Sequence, residues 1–302
     1  MSVRSIRHSL EYGAVKASMA AAGTLPIPVL QHIGAGAGAL AFDVFRVRRG
    51  VTVDNIERAL GVTRAEAVRI GRAAYRNLGR AMFEFAAFAR LTRENVRDLV
   101  SLDGMEHLRD VREHGRGAVF VTGHHGSWEL LGAVMAANGF PVDYLVGQQS
   151  NERVDEVMNE LRGKLGSGII RRTMALKKVL QTLGDNRIVA MLADQDARSQ
   201  GIMVDFLGRP ASTVRGPALF AVRRQCPLVT GFIHREGSRH RAYINPPLYP
   251  PPGVPEEEAV HYLTQGHADA LAAHIRAYPE EYFWPHRRWK TKAAQDNPHL
   301  PE

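Results

Sequence analysis

Cysteine is nearly absent from this chain, and acidic residues are fewer than basic ones. Cys226 is the single cysteine among 302 residues, so the sequence excludes an intramolecular disulfide and any zinc site built from several cysteines. Such usage fits a reducing, cytoplasmic compartment. Hydrophobic residues make up 45% of the chain and charged residues 23%, which is typical of a folded protein with a substantial core.

The excess of basic residues limits the kinds of partner. With 39 Lys and Arg against 31 Asp and Glu, the formal net charge is +8, which favours nucleic acid, anionic lipid head groups or phosphorylated substrates. The sequence has no zinc-finger spacing, no RNA-binding signature and no alternation of aromatic and basic residues. We therefore expect an anionic membrane surface or a phosphorylated substrate, and no nucleic-acid partner.

Residues 17–42 contain no Asp, Glu, Lys or Arg, and basic residues lie on both sides of them. That length could span a bilayer, but Pro26 and Pro28 interrupt it, and Gly34, Gly36 and Gly38 lower the helix propensity of its second half. A signal peptide would have a more compact apolar core. We predict two short apolar helices within residues 1–45 that lie on or dip into a membrane, with basic flanks contacting anionic lipid. The alternative is that both helices simply pack on the domain.

Strand-like and helix-like segments alternate through residues 46–302. Short apolar runs predict strands at 117–122, 143–146, 188–193, 203–207, 227–234 and 239–245. Helical patterns separate them, among them a helix over 64–87 with Thr63 as its N-cap and one over 128–138 with Ser127 as its N-cap. This alternation predicts one α/β domain at 46–302, with a mostly parallel sheet covered by helices on both faces.

Two polar clusters come directly after predicted strands. Thr122–Glu129 follows one strand and begins a helix, and Asp194–Asp196 follows another. In open parallel sheets, ligands and catalytic groups gather at the carboxyl ends of the strands. These two clusters are therefore the candidate active site.

His124 and Glu129 are the candidate catalytic pair of the first cluster. A hydroxyl nucleophile needs a base that removes its proton as it attacks, and histidine has a suitable pKa for this role. A carboxylate bound to the other ring nitrogen would fix the tautomer and stabilise the imidazolium. On one continuous helix the two side chains would point about 140° apart, but a turn at 123–126 lets them converge.

Other interpretations of these residues stay open. About one His-x4-acid match is expected by chance from 13 histidines, so the spacing alone is weak and its strand–turn–helix context strengthens it. A histidine here could be hydrogen-bonded within the turn, and Glu129 could merely favour the helix N-terminus, by about 0.3–1 kcal/mol. A serine hydrolase would use Ser127, which lacks the glycine pattern of a nucleophile elbow. A metal site would draw its ligands from His124, His125, Asp194 and Asp196.

Several motifs, in order along the chain, resemble one known family. His-His-Gly-Ser-Trp-Glu at 124–129 is similar to the His-x4-Asp/Glu motif of the lipid A late acyltransferase (lauroyl/myristoyl) family. The similarity continues in Asp194-Gln195, Val204–Gly208, Ala211, Thr213, Gly216, Pro227–Val229 and Trp284–Lys290. The last of these is close to the family's Trp-x-His-Arg-Arg-Trp-Lys ending. The motifs cover about residues 46–290, which makes the match specific.

The resemblance implies a fold, a reaction and a location. The fold would be a glycerolipid-acyltransferase-like α/β fold, and the protein an O-acyltransferase at the cytoplasmic face of the inner membrane. The donor would be an acyl carrier protein or coenzyme A thioester, with no metal or redox cofactor. The acceptor would be a hydroxyl of a phosphoglycolipid such as a lipid A precursor, or of a phosphatidylinositol mannoside or lysophospholipid.

The resemblance also implies roles for individual residues. His124 would be the base and Glu129 its orienting partner. The candidate substrate-binding residues are Asp194, Gln195, Arg162, Thr213 and Arg215. Asp194 and Gln195 would shape the site beside the catalytic pair.

This sequence departs from the family pattern at two places. The N-terminal segment lacks the clean spanning helix of many members. The family commonly has an arginine where residues 147–149 are Gly-Gln-Gln, which weakens the expectation of lipid A itself as the acceptor. Arg162 and Arg172 could supply positive charge instead. The last motif, 284–290, has two interpretations. Its basic residues could close the domain and rest on an anionic membrane, with its tryptophans at the interface, or they could contact substrate.

Two alternative functions, and the walls of a pocket for the acyl chain, remain open at this point. A hydrolase of the same thioesters or of lipids would use water as the acceptor. A lipid-binding relative would keep the fold and lack catalysis, although both His124 and Glu129 are present here. The possible walls of an acyl-chain pocket, each equally a core residue, are Met82, Phe85, Phe88, Leu130 and Met135.

Overall fold

The computed structural model describes residues 3–292, except for the side chains of residues 3, 4, 174 and 175. The α-helices are α1 (Val3–Thr24), α2 (Ile27–Asp43), α3 (Arg49–Leu60), α4 (Arg64–Ala86), α5 (Arg93–Leu99), α6 (Met105–Glu113), α7 (Trp128–Ala137), α8 (Glu152–Gly163), α9 (Ala175–Gly184), α10 (Gly216–Arg224) and α11 (Glu256–Ala277). The strands are β1 (Val100–Asp103), β2 (Ala118–Thr122), β3 (Val142–Val146), β4 (Gly168–Arg171), β5 (Ile188–Leu192), β6 (Ile202–Asp205), β7 (Pro210–Thr213), β8 (Leu228–Glu236) and β9 (Arg239–Ile244). Short 3₁₀ turns lie at Ala87–Arg90, Arg172–Met174, Arg198–Gln200 and Pro279–Glu281.

Seven strands form one sheet in the order β1-β9-β8-β2-β5-β3-β4. All neighbouring pairs are parallel except β8 and β9, which form an antiparallel hairpin. The prediction of a mostly parallel sheet is therefore confirmed. Strands β2 and β5 are neighbours in register, with Thr122 opposite Leu192, so the residues that follow these two strands emerge side by side.

Helices cover both faces of the sheet, as predicted. Along the central strand β2, Ala118 and Phe120 belong to a core shared with α5 and α7, whereas Val119 and Val121 belong to a core shared with α9, α10 and α11. Alternate residues of a strand point to opposite faces, so a run that is buried at every position requires cover on both sides. This explains why β2 is an unbroken apolar run.

The predicted strand at 203–207 lies outside the main sheet. Its residues contribute to β6, which pairs antiparallel with β7 in a separate two-stranded hairpin. Leu207 and Gly208 in the connecting turn both have positive φ, 59° and 78°. The second strand was not predicted because Pro210–Thr213 contains only four residues, one of them proline.

The N-terminal segment forms two helices, but the expectation that both are apolar is not confirmed. Helix α1 begins at Val3 and includes Arg7, Glu11 and Lys16 in its length, so only its last part is free of charge. The chain breaks between α1 and α2 at Pro26, as the prolines predict. Among residues 3–292, no helix has the length and apolar character needed to cross a bilayer.

Glycines in α2 allow a close approach between α2 and α4. The helix continues through all three of its glycines to Asp43, although they were expected to weaken it. A Cβ on Gly38 would lie 1.9 Å from the Tyr75 carbonyl oxygen, and one on Gly34 would lie 2.4 Å from that of Gly79. Helix α2 thus packs directly on α4. The predicted division between residues 45 and 46 remains a prediction.

Candidate active site

The imidazole of His124 and the carboxylate of Asp194 are joined by two hydrogen bonds. Nδ1 of His124 lies 2.7 Å from Oδ1 of Asp194, and the His124 backbone N–H donates to Oδ2 over 3.0 Å. The Asp194 side chain is 3% exposed and that of His124 is 19% exposed. The contact forms because β2 and β5 are adjacent, so that His124 and Asp194, each two residues beyond a strand, meet at one edge of the sheet.

This contact determines which nitrogen of His124 can act as a base. A carboxylate accepts hydrogen bonds, so Nδ1 carries the proton and Nε2 of the neutral ring is free to accept one. Burial disfavours the imidazolium, but the charge and hydrogen bond of Asp194 outweigh it and raise the pKa of His124. Although burial acts in the opposite sense, His124 lowers the pKa of Asp194 to about 2. The carboxylate is therefore ionised throughout the physiological pH range.

Glu129 is bound to Arg162, and the predicted Glu129–His124 pairing is not the one observed. Nη2 and Nε of Arg162 donate to Oε1 and Oε2 of Glu129 over 2.6 and 3.0 Å, and the two side chains are 12% and 9% exposed. Helix α7 begins at Trp128, which places Glu129 in its first turn, where the last turn of α8 supplies Arg162. The charge of Glu129 still contributes to the raised pKa of His124, less than that of Asp194.

An apolar cavity lies between α7 and the sheet, next to the Glu129–Arg162 pair. It has a volume of about 470 Å³, which includes its open mouth. Its apolar lining includes Phe120, Trp128, Leu131, Met135, Leu145 and Ala190. Of the five pocket walls considered from the sequence, Met135 lines this cavity, Phe85, Phe88 and Leu130 are buried in the core, and Met82 is 43% exposed on α4.

A second, smaller cleft of about 260 Å³ includes His124 in its walls. Trp128 lines both this cleft and the apolar cavity. The His124 ring lies 5.1 Å from the Trp128 ring and 5.9 Å from the Phe283 ring, measured between centroids. Trp128 thus links the cleft that contains His124 with the apolar cavity.

Comparison with known proteins identifies the family. The family model for bacterial lipid A biosynthesis acyltransferases matches residues 3–291. This chain belongs to that family. It is therefore an acyltransferase, and the resemblance noted from the motifs is confirmed.

The relatives of this acyltransferase carry names of two kinds. The phosphatidylinositol mannoside acyltransferase of Mycolicibacterium smegmatis is 26% identical over 243 residues, 78% of this chain and 77% of that protein. The lipid A biosynthesis palmitoleoyltransferase of Escherichia coli is 25% identical over 280 residues, 90% of this chain and 89% of that protein. The lipid A biosynthesis myristoyltransferase of the same species is 25% identical over 300 residues, covering 96% and 90%.

The other predicted substrate-binding residues of the acyltransferase differ in position. Gln195 is exposed directly beside Asp194. Thr213 is buried in β7, and its backbone forms a bridge with Asp196, so it lies close to the second cluster. Arg215 precedes α10 and forms an ion pair of 2.7 Å with Glu257 of α11. The fold brings Gln195 and Thr213 to the Asp194 loop and engages Arg215 elsewhere.

The last motif is interior, which rules out a membrane-surface position for two of its residues. Trp284 is 1% and Arg288 2% exposed, and Arg288 donates to the Ser212 carbonyl and the Thr213 hydroxyl. Burial lowers the pKa of Arg288, although nearby acidic groups including Asp194 raise it. The motif was visible in the sequence, but arginines between two tryptophans also match an interfacial segment, so its burial was not predicted.

His286 and Tyr282 join the site from the same C-terminal segment. Nε2 of His286 accepts a hydrogen bond of 2.9 Å from the Asp196 backbone N–H. Burial and the neighbouring Asp194 carboxylate raise the pKa of Tyr282 well above its usual value. Neither residue had a recognisable spacing to the strand-end clusters, since about 90 residues separate them along the chain from Asp194.

His125 lies in the turn after β2, and its ring is hydrogen-bonded to carbonyl groups of two distant segments. Its ring nitrogens lie 3.1 Å from the Ile233 carbonyl oxygen and 3.0 Å from that of Tyr278. Burial lowers its pKa to about 4, even though both carbonyls favour the charged ring. Within residues 3–292, no three His, Cys, Asp or Glu side chains are grouped to hold a metal ion. The four candidate metal ligands of the sequence analysis do not converge, because the His125 ring contacts these carbonyls.

Proposed function

We propose that this acyltransferase moves a fatty acyl chain from a thioester of an acyl carrier protein or coenzyme A to a hydroxyl of a (phospho)glycolipid. The observation that carries the proposal is the His124–Asp194 pair between an apolar cavity and a second cleft. A lipid A precursor is one candidate acceptor and a phosphatidylinositol mannoside another, since relatives named for each cover most of the chain. A lysophospholipid is a third.

In the proposed reaction, the acceptor hydroxyl enters the cleft and meets Nε2 of His124. The nitrogen takes the hydroxyl proton as the oxygen attacks the thioester carbonyl carbon. The tetrahedral intermediate then collapses, the carbon–sulfur bond breaks, and the leaving thiolate takes the proton from the imidazolium. Asp194 holds the ring and stabilises its charge between these steps. The reaction in this form uses no metal or redox cofactor.

The apolar cavity is the proposed site of the acyl chain. Each methylene transferred from water to such a lining contributes about 0.8 kcal/mol, so a cavity of this kind favours a hydrocarbon chain over a polar group. Glu129 and Arg162 belong to the polar part of its wall. We assign Glu129 a positioning role, through Arg162 and through its charge near His124, and Gln195 a role in contacting the acceptor.

The proposed location is the cytoplasmic face of the inner membrane. Leu40 at the end of α2 and Val44, Phe45 and Val47 in the loop after it are 51–73% exposed. Arg46, Arg48 and Arg49 lie among and after them. Apolar side chains beside arginines suit a surface that dips into the head groups of an anionic bilayer. We propose peripheral binding through this surface.

The test is mass spectrometry of lipids after the purified protein is incubated with acyl thioesters and membrane lipid extract. We expect a new acylated lipid, and a loss of about 10²–10⁴ in rate for His124→Ala because the base is removed. His261→Ala, which changes an exposed histidine of α11, is the matched control and should retain the rate.

The same experiment separates the alternatives. Free fatty acid in place of an acylated lipid would identify a hydrolase. Lipid binding with no turnover from any donor would identify a non-catalytic relative. A His124→Ala variant that transfers at the wild-type rate would contradict the proposed base.

A further inference from the structure

An antiparallel bridge joins the turn after β2 to the segment that follows the last 3₁₀ turn. His125 pairs with Tyr282, and a backbone hydrogen bond of 2.9 Å flanks this pair on each side. The donors and acceptors of the two flanking bonds are Gly126 and Glu281 on one side, and Phe283 and His124 on the other. Residues 124–126 therefore lie opposite residues 281–283 in a fixed register.

This register places Glu281 on the same face as His124. Side chains alternate between two faces along each segment, and residues that lie opposite each other share a face. His125 and Tyr282 face the interior, where they are 1% and 3% exposed. His124, Phe283 and Glu281 all line the cleft of about 260 Å³. The β-carbons of diagonal neighbours such as His124 and Glu281 lie about 7 Å apart, so both side chains can contact one bound molecule.

The carboxyl of Glu281 is held by an amide and not by a cation. Nδ2 of Asn77 on α4 donates to its Oε1 over 3.0 Å, and Arg80 fixes that amide by donating to Oδ1 of Asn77 over 2.6 Å. Arg235, whose charge reaches Glu281, is engaged by Glu84 in a bidentate ion pair. Glu281 has no ion pair of its own among the described residues. Its position is therefore fixed while its charge stays unpaired.

The two glutamates near Arg235 differ in their ionisation. Burial raises the pKa of Glu281 to about 7, although the charge and backbone N–H of Arg235 oppose it. Burial acts on Glu84 in the same sense, but His240 and Arg235 lower the pKa of Glu84 to about 2. A carboxyl that is taken from water without a cation costs stability, and such groups cluster at functional sites. Near neutral pH, Glu281 can both accept and donate hydrogen bonds.

The other walls of this cleft are aromatic or apolar. Tyr75, Trp128, Phe283 and Pro285 line it, and no Lys or Arg is among its lining residues in the described part of the chain. The phosphate of a lipid head group would meet a carboxyl here and no cation. A sugar ring suits the cleft better, because its C–H faces pack on aromatic rings and its hydroxyls bind a carboxyl.

We propose that Glu281 binds a hydroxyl of the acceptor next to the hydroxyl that attacks, so that the part of the acceptor in the cleft is a sugar ring. This inference rests on the proposed function and names the acceptor class and a residue that selects it. His124 takes the proton of the attacking hydroxyl while Glu281 holds the neighbouring one, and the two contacts orient the ring. A lone hydroxyl, as on an acyl chain or a lysophospholipid, leaves Glu281 without a partner. Glu281 thus discriminates against acceptors of that kind.

The test combines a change in the acceptor with a change in the protein. The acceptors are n-octyl mannoside, n-octyl glucoside and their monodeoxy analogues, each of which lacks one hydroxyl other than the acylated one. For the wild type, we expect kcat/KM to fall about tenfold or more when the hydroxyl bound by Glu281 is missing. In Glu281→Ala, the same deletion should change kcat/KM by about twofold or less. Glu281→Gln can still accept from Asn77 and from the hydroxyl, so it should keep part of the discrimination.

The matched control is Glu280→Ala. Glu280 is the neighbouring acidic residue of the same 3₁₀ turn, and it does not line the cleft. This variant should discriminate between the acceptors as the wild type does. If Glu281→Ala keeps the wild-type discrimination, or lowers kcat/KM equally for every acceptor, then Glu281 only supports the structure and the proposal is wrong.

Failure of this proposal is distinguishable from failure of the proposed function. Acyl transfer to a lipid of the membrane extract but to neither octyl glycoside would overturn the sugar acceptor and leave the acyltransferase reaction intact. If nothing is acylated, the proposed function fails, and calorimetric titration with the two octyl glycosides still tests the cleft. Binding of either glycoside that Glu281→Ala weakens about tenfold would then support the proposal. No binding, or equal binding to the wild type and the variant, would overturn it.

Discussion

Asp194 binds His124 through both of its carboxylate oxygens, one to the ring and one to the backbone N–H of the same residue. A carboxylate held in this way fixes the imidazole by two contacts that come from one side chain. The residue that the motif spacing selected, Glu129, instead forms a bidentate ion pair with Arg162. The site therefore contains two carboxylates with different partners, and the predictions below treat them separately.

Replacing Asp194 with Asn should lower kcat/KM by about 10²–10⁴, because the ring loses the carboxylate that fixes its tautomer and stabilises the imidazolium. Asp194 raises the pKa of His124, so its loss lowers that pKa. The neutral base then persists to lower pH, and the acidic limb of the pH–rate profile should move to lower pH. Asp196→Asn, whose side chain contacts Thr291, is the control. An acidic limb that stays in place would contradict the assignment.

Replacing either Glu129 or Arg162 with Gln should lower the free energy of unfolding by about 3–5 kcal/mol, because each change leaves a buried charge without its partner. The double variant should lose less free energy of unfolding than the sum of the two single losses, since it leaves no unpaired charge. Denaturant unfolding of all four proteins gives the coupling energy. Additive losses would show that the two side chains do not stabilise each other.

Enlarging Ala190 to Leu should shift the preferred donor to shorter acyl chains. Ala190 lines the apolar cavity from β5, and the added carbons occupy space in which the end of a long chain would lie. Rates with a series of saturated thioesters measure the shift. Val189→Ile enlarges the neighbouring residue, which belongs to the core on the opposite face, and should leave the preference unchanged. If both variants prefer the same acyl-chain length, the acyl chain does not bind in this cavity.

Gly38→Ala should lower the free energy of unfolding by about 1–3 kcal/mol, because its new methyl group would overlap the Tyr75 carbonyl oxygen and push α2 from α4. Gly36→Ala makes the same chemical change in the same helix, where no atom lies within 4 Å of the added carbon. It should stabilise the protein by about 0.5–1 kcal/mol through helix propensity. Thermal unfolding compares them, and equal effects would mean that the close approach is not required.

Local sequence signals predicted most regular elements closely. Thr63 accepts a hydrogen bond from the Glu66 backbone N–H, and α4 extends from Arg64 to Ala86, within one residue of the predicted helix. Ser127 precedes α7 as predicted, but its side chain makes no capping hydrogen bond. Strands β1 and β4 were missed because each has four residues at a sheet edge, too few to show an apolar period.

The sequence by itself determined the α/β class, the family and the two strand-end clusters that form the site. These follow from patterns of neighbouring residues, which report which segments form strands and helices. Only the tertiary structure decided that Asp194, and not Glu129, binds His124. The order of strands in a sheet is a relation between residues far apart in the chain, here 70 positions, and it is set by how helices cover both faces. The burial of Arg288 was decided in the same way, since packing and not local pattern brings it to Thr213.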